Sequence, residues 1–130
     1  EYSNKINYNE NIKNATGYPD IQELLAVSDA IISDFSSVIF ETALAYKPSF
    51  ILAKDFQEYI QRERKLLYNI EDIPFTIATT EKELYKDIQQ FSHDKYEERC
   101  KKFYNLIGLV KNENSSRDIV GIIKEKMKGN

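Results

Sequence analysis

The segment Ala30-Ile31-Ile32-Ser33-Asp34-Phe35-Ser36-Ser37-Val38-Ile39-Phe40-Glu41 constrains the fold more than any other part of the chain. The short apolar run Ala30 to Ile32 predicts a buried strand. Polar residues break it, and an apolar-rich segment from about Ser36 to Tyr46 predicts a helix. Within that helix Val38, Ile39, Thr42, Ala43 and Tyr46 recur at three- and four-residue spacing, so it is expected to be largely buried. Lys47-Pro48 ends it, because the residue before a proline is pushed out of the helical region. Ser49 to Leu52 then reads as a second buried strand. Two buried strands joined by a helix imply parallel pairing and a right-handed crossover. A strand–turn–helix of this kind aims backbone N–H groups outward at the strand's carboxyl end, where anions bind. Here the turn carries two adjacent hydroxyls, Ser36 and Ser37, in place of the commoner glycines. The pattern predicts a phosphate-binding turn for a nucleotide-activated donor.

The flanking sequence extends the same architecture. Ile6, Tyr8 and Ile12 fit one face of an edge strand within residues 5–14. Asp20-Ile21-Gln22-Glu23 predicts a capping box, with Asp20 accepting from the Glu23 N–H, ahead of a short helix through Val27. Residues 55–67 read as a charged helix with Phe56, Tyr59 and Ile60 on one side, and Phe75 to Ala78 as a short strand. Thr80-Glu81-Lys82-Glu83 is a second capping box, and Asp94 to Glu97 a third. Tyr96, Cys100, Phe103, Tyr104 and Ile107 form one helical stripe that Gly108 stops. A last helix uses Ile119, Val120, Ile123 and Met127. The expected class is α/β, a Rossmann-like parallel sheet flanked by helices, with residues 1–130 as a single domain.

Composition removes several functions. A net charge of −3 argues against a broad nucleic-acid surface. No apolar run approaches the roughly 20 residues needed to span a bilayer. One cysteine, Cys100, and one histidine exclude an intrachain disulfide framework and leave no expectation of a metal site. This usage fits a reducing, cytoplasmic compartment. The chain opens without Met on organised sequence, which leads us to expect a domain of a longer polypeptide.

Each candidate has a plainer alternative. A serine at the start of a helix is a common cap, and Asp34 could serve as one too. Glu41, one turn into the helix, is either a solvated residue or a carboxylate accepting from ribose hydroxyls. Arg62, Arg64 and Lys65 make the densest positive cluster, and such runs are often merely solvated. Arg117, after Ser115-Ser116, lies at another helix start, while His93 reads as a cap or surface residue.

Tyr18-Pro19-Asp20-Ile21-Gln22-Glu23-Leu24-Leu25, Ser28-Asp29 and Ile32-Ser33-Asp34-Phe35-Ser36-Ser37-Val38 together resemble the C-terminal half of the CDP-glycerol glycerophosphotransferase family. The likeness continues through Lys47-Pro48, Asp55 with Tyr59, Arg64 ahead of Leu67-Tyr68, Ile73-Pro74-Phe75, Glu83-Leu84, and Gly108-Leu109 before Ser116. It implies the C-terminal, donor-binding lobe of a GT-B enzyme, with the N-terminal lobe and the catalytic histidines upstream. By the same likeness Ser36 and Ser37 contact the donor pyrophosphate and Glu41 the nucleotide sugar, where the family often has Asp. Arg64 and Ser116 join them as donor-binding positions, and no catalytic residue is expected in this chain. The implied partners are a nucleotide-activated donor such as CDP-glycerol, a lipid-linked or polymer acceptor and the N-terminal lobe, with no nucleic acid and no further cofactor. The full enzyme would sit peripherally at the inner membrane face, in teichoic acid or capsule synthesis. Three departures stand out: Lys65 for a usual glycine, Phe35 for a usual tyrosine, and Asn112-Glu113-Asn114 for a common Asp-Gly. A GT-B glycosyltransferase lobe using a nucleotide sugar, or a non-catalytic interaction module, are the alternatives.

Overall fold

The parallel pairing expected around the serine turn is present. In the computed structural model, which describes residues 5–62 and 68–128, Ile31 to Ser33 (β1) pairs in parallel with Ser49–Leu52 (β2). Thr76–Ala78 (β3) pairs on the other side of β2, again in parallel, giving the order β1-β2-β3. Helices Ile21–Val27 (α1), Val38–Leu44 (α2), Phe56–Arg62 (α3), Glu81–Gln89 (α4), His93–Leu106 (α5) and Ser115–Lys128 (α6) complete the element order. The α/β class with a parallel sheet flanked by helices is therefore the one observed.

Side-chain alternation along β2 splits the core into two layers, because successive residues face opposite sides. Ile51 joins Ile39 and Ala43 of α2 and Tyr96, Cys100 and Phe103 of α5 on one face. Phe50 joins Ala78 and Leu84 of α4 on the other. Aromatic edges knit the larger cluster, with Phe40 5.2 Å from Phe75 and 5.6 Å from Phe103 between ring centroids. Two hydroxyls tie α2 to the central strand: Thr42 Oγ1 and Ser49 Oγ lie 2.7 Å apart, both buried. The carbonyls of Ile39 and Lys47 accept from them, so two hydroxyl protons serve three contacts.

Helix ends follow their local chemistry. At α4 the Thr80 hydroxyl accepts from the Glu83 N–H, and the Glu83 carboxylate accepts from the Thr80 N–H, the reciprocal box expected from the sequence. Gly108, at φ 67°, ends α5: the Leu109 N–H reaches the Tyr104 carbonyl and the Gly108 N–H that of Asn105. Helix α2 closes by the same bonding, from Lys47 to Thr42 and Tyr46 to Ala43, but with Tyr46 in the left-handed position at φ 54°. Proline is thus not what stops this helix.

Four expectations need correction. Residues 5–14 form no strand, because the Asn9 side chain takes the Asn11 and Ile12 N–H groups that a ladder would need. Asp20 accepts from the Gln22 N–H, not from Glu23, whose carboxylate is taken by the Tyr18 hydroxyl at 2.6 Å. Strand β1 is not buried: it lies at the edge of the three-stranded sheet, and Ile32 is 54% exposed. Helix α5 begins at His93, so Asp94 lies inside its first turn and Glu97 pairs with Lys101 instead of boxing. Among the described residues no helix is long and apolar enough to cross a membrane.

Candidate functional site

The turn after β1 is shaped by tight hydrogen bonding at the start of α2. The Ile39 and Phe40 N–H groups donate to the Ser36 and Ser37 carbonyls, and Ser37 takes the N-cap place with helical dihedrals. In that geometry the Ser37 hydroxyl makes no capping bond. Ser36 Oγ accepts from the Val38 N–H at 3.5 Å, the outer limit of a hydrogen bond. Ser36 is half-buried and Ser37 exposed, so the hydroxyls that could have been spent on the helix are largely available to a ligand. Asp34 is not the cap of α2, a place that Ser37 takes. Phe35 turns inward and stacks on Phe56 of α3, with centroids 5.4 Å apart.

Glu41 follows Ser37 by four residues, which puts both on one face of α2 about 6 Å apart along the axis. Its exposed carboxylate accepts from the Gln22 side-chain amide of α1. Two hollows flank it. One, of about 150 Å³, lies between α1 and α2 above Leu25 and Thr42. The other, of about 270 Å³, is walled by Phe40, Leu44, Tyr68 and Phe103 and is mostly apolar. Two lysines brace the surrounding helices: Lys47 Nζ donates to the Ala26 and Ser28 carbonyls at the end of α1, and Lys111 Nζ to the Leu44 carbonyl at the end of α2. Cations at a helix C-terminus are stabilising. The same Lys111 ammonium lies 4.7 Å from the Tyr46 ring centroid.

The structure brings together Ser36, Ser37 and Glu41 but not every sequence candidate. Ser116 and Arg117 are exposed in the first turn of α6, a helix with no buried residue. Arg64, with Lys65, lies outside the described residues. His93 is exposed at the start of α5, with its ring edge-on to Phe91 at 6.2 Å. Cys100 is no nucleophile, since burial pushes its thiol up. Burial likewise raises the Tyr96 and Tyr104 phenols well above the ordinary range. These groups belong to the core. Sequence reasoning missed Gln22 as a support of Glu41 and Phe35 as a support of the turn, and no local pattern marks either.

Similarity to known proteins extends over nearly the whole chain. A family model described as CDP-Glycerol:Poly(glycerophosphate) glycerophosphotransferase matches residues 1–125. The teichoic acid poly(glycerol phosphate) polymerase of Staphylococcus epidermidis is 31% identical over 116 residues, 87% of this chain and 16% of that protein. The teichoic acid poly(ribitol-phosphate) polymerase of Bacillus spizizenii is 36% identical over 84 residues, 64% of this chain and 13% of that protein. Among solved structures, a variant of the wall teichoic acid polymerase TagF superposes with a TM-score of 0.75 at 29% identity, covering 97% of this chain and 32% of TagF. A TagF variant soaked with CDPG superposes with a TM-score of 0.71 at 30% identity, over 89% of this chain and 29% of that one. The chain thus spans well under half the length of these relatives. Sequence match over nearly the whole chain and shared fold lead to one conclusion: this chain belongs to the CDP-glycerol:poly(glycerophosphate) glycerophosphotransferase family.

Proposed function

We propose that this chain is the donor-binding part of a transferase. The enzyme moves glycerol phosphate, or a related polyol phosphate, from a CDP-activated donor to a lipid-linked or polymer acceptor in teichoic acid or capsule synthesis. The observation that carries the reading is the Ser37 hydroxyl, unused by its own helix and one turn from the Glu41 carboxylate on the same face. A pyrophosphate at the turn would accept from the Ser36 and Ser37 hydroxyls, charge-assisted bonds that are stronger than neutral ones. Glu41, held by Gln22, would accept from ribose hydroxyls, and the apolar hollow beside it would take part of the nucleoside. Arg64 and Ser116 are further proposed donor contacts, supported by the family likeness alone.

In the reaction an acceptor hydroxyl attacks the glycerol-bearing phosphorus, the P–O–P bridge breaks, and CMP departs with the electron pair. This chain's task is to stabilise the charge on the departing phosphate. The proton of the acceptor is taken by a base that these residues do not supply. That base, and the facing wall of the cleft, belong to the N-terminal lobe of a longer polypeptide working peripherally at the inner membrane face. The likeness to a TagF soaked with CDPG and to both glycerol- and ribitol-phosphate polymerases supports the donor class. Calorimetric titration of the intact polypeptide with CDP-glycerol, CDP-ribitol and a UDP-sugar tests it. Binding of a CDP-polyol in preference to the UDP-sugar is expected, and preference for the UDP-sugar refutes the reading.

A further inference from the structure

A second hollow, of about 400 Å³, opens on the α4 face of the sheet beside β3. That volume suits a small ligand. Its floor is Phe50 against Phe91, whose ring centroids are 5.5 Å apart. Thr76 stands in its wall, with its hydroxyl oxygen shut off from solvent and without a hydrogen-bond partner among the described residues.

The rim is a row of cations. Lys95, Arg99 and Lys102 line the hollow from successive turns of α5, with roughly 5–6 Å between neighbouring Cβ atoms. Lys102 pairs with Glu98 at 2.9 Å, but both side chains are largely exposed and such pairs are weak. Among the described residues Lys95 has no ion pair, and the Arg99 guanidinium lies 5.9 Å from the Tyr96 ring centroid. Asp87 also faces the hollow, so its charge is mixed with a cationic excess confined to α5. A line of cations spaced by helical turns fits a linear polyanion better than a single phosphate.

We propose that this hollow is a subsite for a segment of a polyol-phosphate chain. One phosphodiester binds Lys95 and Arg99. A neighbouring phosphodiester competes with Glu98 for Lys102. Methylene carbons lie on Phe50 and Phe91. The anion rests on the cations alone, whereas the polyol rests on the transferase reading above. Product held here would keep a growing chain on the enzyme between additions.

The test uses the intact polypeptide and three probes: a soluble glycerol phosphate oligomer, glycerol 3-phosphate and inorganic phosphate. The oligomer is expected to bind tightest, and more weakly as salt rises. Lys95→Gln with Arg99→Gln should weaken oligomer binding about tenfold, the loss of two charge-assisted contacts. CDP-glycerol affinity and the thermal midpoint serve as controls for folding, and both should hold in the double variant. Wild-type oligomer affinity in the double variant overturns the subsite, as does oligomer binding no tighter than that of glycerol 3-phosphate. Failure of CDP-glycerol to bind the wild type, with the oligomer still bound through Lys95 and Arg99, would sink the donor reading and leave the subsite standing.

Discussion

Phe35 stacks on Phe56 with ring centroids 5.4 Å apart and planes only 14° from parallel, joining the serine turn to α3. The contact fixes the residue immediately before Ser36, so the turn is held from below while Ser37 stays exposed. Offset aromatic pairs contribute about 0.5–1.5 kcal/mol beyond their buried area. Phe35→Ala should therefore lower stability by about that much or more and weaken CDP-glycerol binding severalfold at temperatures where the variant stays folded. Phe35→Tyr, which keeps the ring, should preserve both. Chemical denaturation and calorimetry on the same samples separate the two effects.

Tyr46 ends α2 in a left-handed conformation at φ 54°, with its ring 6.0 Å from Tyr104 and under the Lys111 ammonium. A side chain there costs roughly 1–2 kcal/mol that glycine avoids. Ala at this position keeps the strain and loses the ring contacts, whereas Gly loses the contacts and relieves the strain. Tyr46→Gly should therefore be more stable than Tyr46→Ala by about 1 kcal/mol, against the usual order in a helix. Urea denaturation of the pair measures the difference.

The Thr79 N–H and hydroxyl hold the exposed Glu83 carboxyl below its usual range. A depressed carboxylate contributes stability that is fully present above the unfolded pKa and is lost as pH falls through the folded value. The stability gap between wild type and Glu83→Gln should thus be widest near neutrality. It should close as pH falls through and below the ordinary carboxylate range. Denaturation midpoints across that range read it directly, and a gap that widens toward acid would contradict the assignment.

Gln22 reaches across from α1 to Glu41, and both residues are exposed. Glu41→Ala should raise the KM for CDP-glycerol in the intact enzyme about tenfold, the scale of one charged hydrogen bond. Gln22→Ala, which only frees the carboxylate to move, should raise it less. Steady-state kinetics with thermal midpoints distinguishes this order from general loosening.

Much of this arrangement was legible in the sequence because it depends on neighbours in the chain. Thr80 and Glu83 cap by their three-residue spacing alone, and Gly108 supplies the left-handed stop that its type allows. The parallel sheet follows from two apolar strands bracketing a helix. What the sequence hid depends on competition or on distant partners. Ile6, Tyr8 and Ile12 alternate like a strand, yet Asn9 captures the backbone first. Glu23 had a backbone target three residues away and took the Tyr18 hydroxyl instead. The Gln22–Glu41 and Phe35–Phe56 contacts span 19 and 21 residues, beyond any local pattern. At the site the two serines and Glu41 were readable by position, but the unused Ser37 hydroxyl was not, because it depends on the dihedrals of the turn.

The central claim is that the Ser36 and Ser37 hydroxyls bind the donor pyrophosphate. Titrating CDP-glycerol into the intact polypeptide and its Ser36→Ala/Ser37→Ala variant tests it most directly. Since the Ser37 hydroxyl makes no cap bond and the Ser36 one only a long contact, the variant should unfold within about 0.5 kcal/mol of wild type. Its donor affinity should fall at least about tenfold. Unchanged donor affinity in a folded variant would contradict the account.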